Sequence, residues 1–226
     1  MTLRTAYWLV ALSVVPLLGG VARLAGLAGV DRAPMDTRFA HNPLPAIVHI
    51  VAASVFSVLG AFQFESGLRR AWPRWHRYAG RVLVLCGLLT AATGVWMTVQ
   101  YAIPRPVQGS LLFGVRLAVG GAMALSLVLA VKAIREGNVP SHQAWMLRAY
   151  ALGLGAGTQV FFLLPPELIS GEPVTGILRD ALMTAAWAAN LLVAEFAVRR
   201  PVAAVQCPPG LHCPHGLSSH RGGARS

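Results

Sequence analysis

Residues 110–134 read SLLFGVRLAVGGAMALSLVLAVKAI, an apolar run whose only charges, Arg116 and Lys132, stand toward its two ends. A hydrocarbon core of roughly 30 Å is crossed by about 20 such residues wound as an α-helix. Working outward, five further stretches reach that length: residues 5–27, interrupted only by Arg23, then 45–66, 78–101, 143–164 and 174–198. The breaks between them carry Pro, Gly and charge: Asn42-Pro43, Trp72-Pro73, Pro104-Arg105-Pro106, Gly137 to Pro140, Pro165-Pro166 and Arg199-Arg200-Pro201. Such residues punctuate regular structure. The expected fold is all-α, a polytopic membrane bundle of six transmembrane helices. The first stretch, with Arg4 before it, has some features of a signal peptide. Its apolar length is long for one and no clean small-x-small cleavage site follows, so it is read as a helix.

Composition agrees. Of 226 residues, 55% are apolar and 12% charged, about half the charge of a soluble domain. Too few polar side chains remain to cover a water-facing surface, and a bilayer removes that need. The formal net charge is +11. Nucleic-acid binding is not the reading, because the arginines sit beside apolar runs where anionic lipid headgroups would meet them. Counting Lys and Arg by loop places thirteen of the nineteen on one side. The richer side is expected to be cytoplasmic, with both termini inside. Residues 1–200 form the expected membrane domain. Residues 201–226 are rich in Pro, Gly, Ser and His, without apolar periodicity, and are expected to be a disordered cytoplasmic tail. Cys207, His212, Cys213 and His215 lie in that tail, but their spacing matches no standard zinc site. Cys86 reads as a small core residue. No Walker-type loop, nucleophile elbow or His-Glu-x-x-His motif is present.

Two loops on the arginine-rich side resemble each other. One runs from Trp72-Pro73 through His76 to Arg81, the other from Pro140 through His142 to Arg148. Each has a Pro, a His two or three residues on, and an Arg five or six beyond. Helices two-three and four-five are thereby candidates for a parallel repeat. Both histidines would stand at helix N-termini, where the dipole disfavours a cation and leaves an imidazole fit for a metal. Facing each other across a four-helix core, His76 and His142 would make a bis-His haem b site. Arg81 and Arg148 would reach haem propionates or lipid phosphates. The competing reading is interface anchoring, since His, Trp, Tyr and Arg are common at the headgroup level.

His49 stands apart, about one turn inside the opposite end of helix two. An ionisable residue at that depth is a functional candidate, through a structural hydrogen bond or a quinone-like ligand. His41 is the other histidine on that side. Glu65 is expected to pair with Arg69, four residues on. Asn190 is expected to bond across helices, Glu195 to meet Arg199, and Asp180 to be solvated near the surface.

His49-Ile50, Leu59 to Phe64, Leu68-Arg69, His76-Arg77, Gly80-Arg81, and His142 with Trp145-Met146 and Arg148 together resemble domain-of-unknown-function family 2306. Trp187, Asn190, Leu191 and Glu195 resemble the family's ending. The likeness covers roughly residues 38–198. Gln143 stands where the family more often has a basic residue, and Ala61 where Pro is expected. The resemblance implies a multi-pass helical protein of the bacterial inner membrane, and no established activity. Three functions are carried forward: a haem-b electron-transfer protein with a redox or quinone partner, a small-molecule or proton-coupled carrier using His49, and a non-catalytic scaffold or sensor.

Overall fold

The computed structural model describes residues 3–27 and 42–199. His41 and the tail residues Cys207, His212, Cys213 and His215 lie outside the described residues. The elements, in order, are α1 (Leu3–Leu27), α2 (Leu44–Gln63), α3 (Ser66–Ala71), α4 (Pro73–Gln100), α5 (Ser110–Arg135), α6 (Val139–Gly153), α7 (Gly155–Ser170) and α8 (Gly176–Arg199). No strand occurs among the described residues. Five helices are long and apolar enough to cross a membrane, and the bent pair α6–α7 makes up to six crossings.

Proline sets where several helices begin. Pro73 opens α4, and Pro140 is the second residue of α6. A first-turn proline loses no intrahelical bond, and its fixed φ suits the helix. Both helices therefore start four or five residues before the apolar runs that mark them in sequence. α7 continues through Pro165-Pro166 to Ser170, where Gly171 closes it in the left-handed conformation.

The helices alternate in direction. One end of the bundle gathers the end of α2 and the starts of α4 and α6; this is the arginine-rich end. At the far end Tyr101 Oη donates to Asn42 O at 2.7 Å, and Gly176 N donates to Pro106 O at 2.8 Å. Asp180 departs from expectation. It is 1% exposed and accepts from Gly109 N and Leu112 N, both at 3.1 Å. It caps α5 from α8, because the first amides of a helix have no partner of their own. Glu65 also differs: its carboxylate caps α3, accepting from Gly67 N and Leu68 N.

The core centres on Phe56, Leu83, Leu127, Ala149 and Tyr150. Gly60 lets the Tyr150 ring lie against α2, since a Cβ there would overlap it. Tyr150 Oη then donates to Ser57 O at 2.7 Å. Large apolar side chains such as Leu85, Val99, Leu125 and Leu192 stay exposed on the helix faces. That surface is the one a bilayer covers.

The α6–α7 span bends by 42° at Leu154. Gly153, Gly155 and Gly157 flank the break. The break frees carbonyls, which must find donors at membrane depth. α8 supplies them: Asn190 Nδ2 donates to Ala151 O at 3.0 Å, and Trp187 Nε1 to Leu152 O at 3.2 Å. Thr158 Oγ1 donates to Asn190 Oδ1 at 2.8 Å, which orients the amide. Gly155 is required because a Cβ there would overlap the Trp187 indole.

Candidate functional site

A cavity of about 340 Å³ opens beside this break, toward the far end. His49 from α2, Thr90 and Gly94 from α4, Arg116 from α5, Gln159 from α7 and Trp187 from α8 all line it. A second space of about 130 Å³, between α1 and α2, shares His49, Ala53, Gly153 and Ala156 with it. His49 is thus packed in the bundle yet open to two cavities.

The hydrogen bonds of His49 fix its chemistry. Nδ1 lies 3.0 Å from Thr93 Oγ1. The Thr93 hydroxyl donates its own hydrogen to Leu89 O at 2.6 Å. Its lone pairs are what remain for His49, so the imidazole is the donor. We therefore assign the proton to Nδ1, which leaves Nε2 with a lone pair. Gly94 eases the approach: a Cβ there would lie 3.3 Å from His49 Cε1, closer than ordinary van der Waals contact.

Gln159 is the complementary group. It is 8% exposed and its Nε2 has no hydrogen-bond partner. Buried amides are almost always paired, so an orphan donor on a cavity wall points to something the cavity holds. Arg116, also on the wall, donates to Gln108 Oε1. Sequence reading singles out His49 and misses Thr93, Gln159 and Arg116. No local pattern marks them, since they come from three helices far apart in the chain.

The other candidates gather at the arginine-rich end. His76 and His142 are each the fourth residue of their helix, and they are close enough to interact electrostatically. His142 Nδ1 lies 2.9 Å from Ala130 O on α5, which leaves Nε2 available. His76 Nδ1 is buried without a partner. Arg148 is committed elsewhere: it forms a two-point ion pair with Glu195 at 2.5 and 3.1 Å and stacks over Trp145. Glu195 also meets Arg199 at 3.6 Å. Arg81 is exposed and lies over the Tyr78 ring. No group of three or more His, Cys, Asp or Glu is placed to hold a metal ion among the described residues.

The model of a family described as "Predicted membrane protein (DUF2306)" matches residues 46–198. The chain belongs to this family. The DUF2306 segment contains His49, His76 and His142, both capped helices and the whole of the bent span, while α1 precedes it. No curated protein and no solved structure matches the chain.

Proposed function

We propose that this membrane protein binds a small molecule between its helices and carries it, with His49 as the proton-linked group. The observation that carries this reading is the cavity of about 340 Å³ in which His49 and the orphan Gln159 amide share a wall. The bent span supports it. Discontinuous helices at membrane depth recur where transporters bind their substrates, because unwound backbone is tolerated there only beside a cavity or protein partners. The volume lies at the low end of small-molecule pockets. The proposed setting is a bacterial inner membrane, with the arginine-rich end in the cytoplasm against anionic headgroups.

The test compares small molecules released from wild-type protein and Ala53→Phe, both purified in native lipid particles. Ala53 lines both cavities, so phenylalanine there fills the space. Mass spectrometry should find a compound held by the wild type and absent from the variant. Identical profiles from two folded proteins would contradict the reading.

A second reading keeps His76 and His142 as axial ligands of a haem b. The unpartnered Nδ1 of His76 and the Nε2 left available on His142 favour it. A bound haem would supply one-electron chemistry, with the two imidazoles holding its iron. Arg148 is less suited to the propionates, being already paired with Glu195. Protein expressed with ample haem should then show a Soret band that His76→Ala/His142→Ala removes. A spectrum without that band would count against this reading.

A further inference from the structure

The cavity offers two polar groups of opposite kind. Gln159 Nε2 is a donor in need of an acceptor. His49, with Nδ1–H spent on α4, presents Nε2 as an acceptor in need of a donor. Met97, Met123, Met183 and Trp187 line the same cavity. Thioether sulfurs and an indole are polarizable surfaces that favour a flat aromatic ring. About 340 Å³ holds one substituted ring comfortably.

We infer that the ligand is a single aromatic ring with a hydroxyl at one end and a second oxygen at the other, a quinol. The hydroxyl donates to His49 Nε2, and the opposite oxygen accepts from Gln159 Nε2. The inference rests on reading the cavity as a ligand site, and it adds the class of ligand. Two sources share this chemistry: a quinol dissolved in the bilayer and a free hydroxybenzoate. The structure favours the quinol. Two arginines line this cavity, and both are engaged: Arg116 is bonded to Gln108 Oε1 and Arg23 also has a partner, while Met97, Met123 and Met183 offer no charge. An anionic carboxylate would have to be desolvated there.

The experiment uses the full chain in nanodiscs of synthetic, quinone-free lipid, titrated calorimetrically. The probes are a short-chain 1,4-benzoquinol kept reduced by ascorbate, its dimethyl ether, and 4-hydroxybenzoate. The ether cannot donate, so it leaves His49 Nε2 unmet. The quinol should bind saturably and about tenfold more tightly than the ether, the effect of one hydrogen bond left unmade. Gln159→Leu should weaken both probes about tenfold, while His49→Phe should weaken the quinol and spare the ether. The comparison of quinol with ether on wild type needs no variant to fold. Equal affinity for those two would overturn the inference, as would tighter binding of 4-hydroxybenzoate. If no probe binds, yet wild type still releases a compound that Ala53→Phe lacks, the quinol assignment fails and the cavity reading stands. If neither is seen, both fail.

Discussion

Asp180 permits the most quantitative check on the fold that shapes the cavity. Its carboxylate, 1% exposed, reaches from α8 to Gly109 N and Leu112 N at the start of α5. Replacing it with alanine removes both acceptors and gives the two amides no new partner. The Leu112 amide is in a fully buried setting, where an orphaned donor costs about 2 kcal/mol. The Gly109 amide is partly accessible and should cost about 1 kcal/mol. Asp180→Ala should therefore destabilise by about 3 kcal/mol. At about 2–4 °C per kcal/mol for a chain of this size, that lowers the melting temperature by roughly 6–12 °C. Asp180→Asn keeps one acceptor and should lose about half as much. Gly109→Ala approaches the same contact from the other side, since its Cβ would lie 2.5 Å from Asp180 Oδ2. Thermal unfolding in detergent, followed by loss of the monodisperse species, measures all three. An Asp180→Ala protein that melts within about 2 °C of wild type would refute the argument that this carboxylate satisfies α5.

Gly155→Ala should drive the Trp187 indole from its place and break its bond to Leu152 O. The expected cost is about 2–3 kcal/mol, read as a lower melting temperature. Arg148 and Glu195 should be coupled by about 1 kcal/mol in a double-mutant cycle, because the pair is two-pointed but about a quarter exposed. Glu65 is held below the usual glutamate range by the Leu68 and Gly67 amides it accepts from. Its cap on α3 should therefore persist above the ordinary glutamate pKa and be lost as pH falls through the lowered folded value. Hydrogen-exchange protection of the Gly67 and Leu68 amides should fall in that window, and Glu65→Gln should remove the pH dependence.

Much of the fold is legible in sequence because membrane crossing is written in composition. A run such as residues 110–134 has no other stable setting, and α5 appears where that run lies. Helix starts are less legible: Pro73 and Pro140 look like breaks, yet each stands in the first turn of a helix. The bend at Leu154 is signalled by Gly153, Gly155 and Gly157, but it depends on Asn190 and Trp187 answering from α8. That dependence is tertiary and has no local mark. Asp180 misleads for the same reason. A carboxylate beside Arg179 at a helix end looks solvated until the first turn of α5 is set against it. Within the candidate site, His49 stands out because ionisable groups are rare in apolar runs. Gln159 does not, since an uncharged amide is unremarkable in sequence. Its meaning lies in having no partner once the helices are packed.

The most direct test of a ligand site at His49 is the position of a heavy atom. A bromo-substituted benzoquinol would be diffused into crystals of the wild-type protein grown in a lipidic mesophase. A bromine anomalous peak should appear inside the cavity bounded by His49, Gln159 and Trp187, and be lost in Ala53→Phe. A peak confined to the lipid-facing surface, or one in the cavity that persists in Ala53→Phe, would contradict a ligand site there.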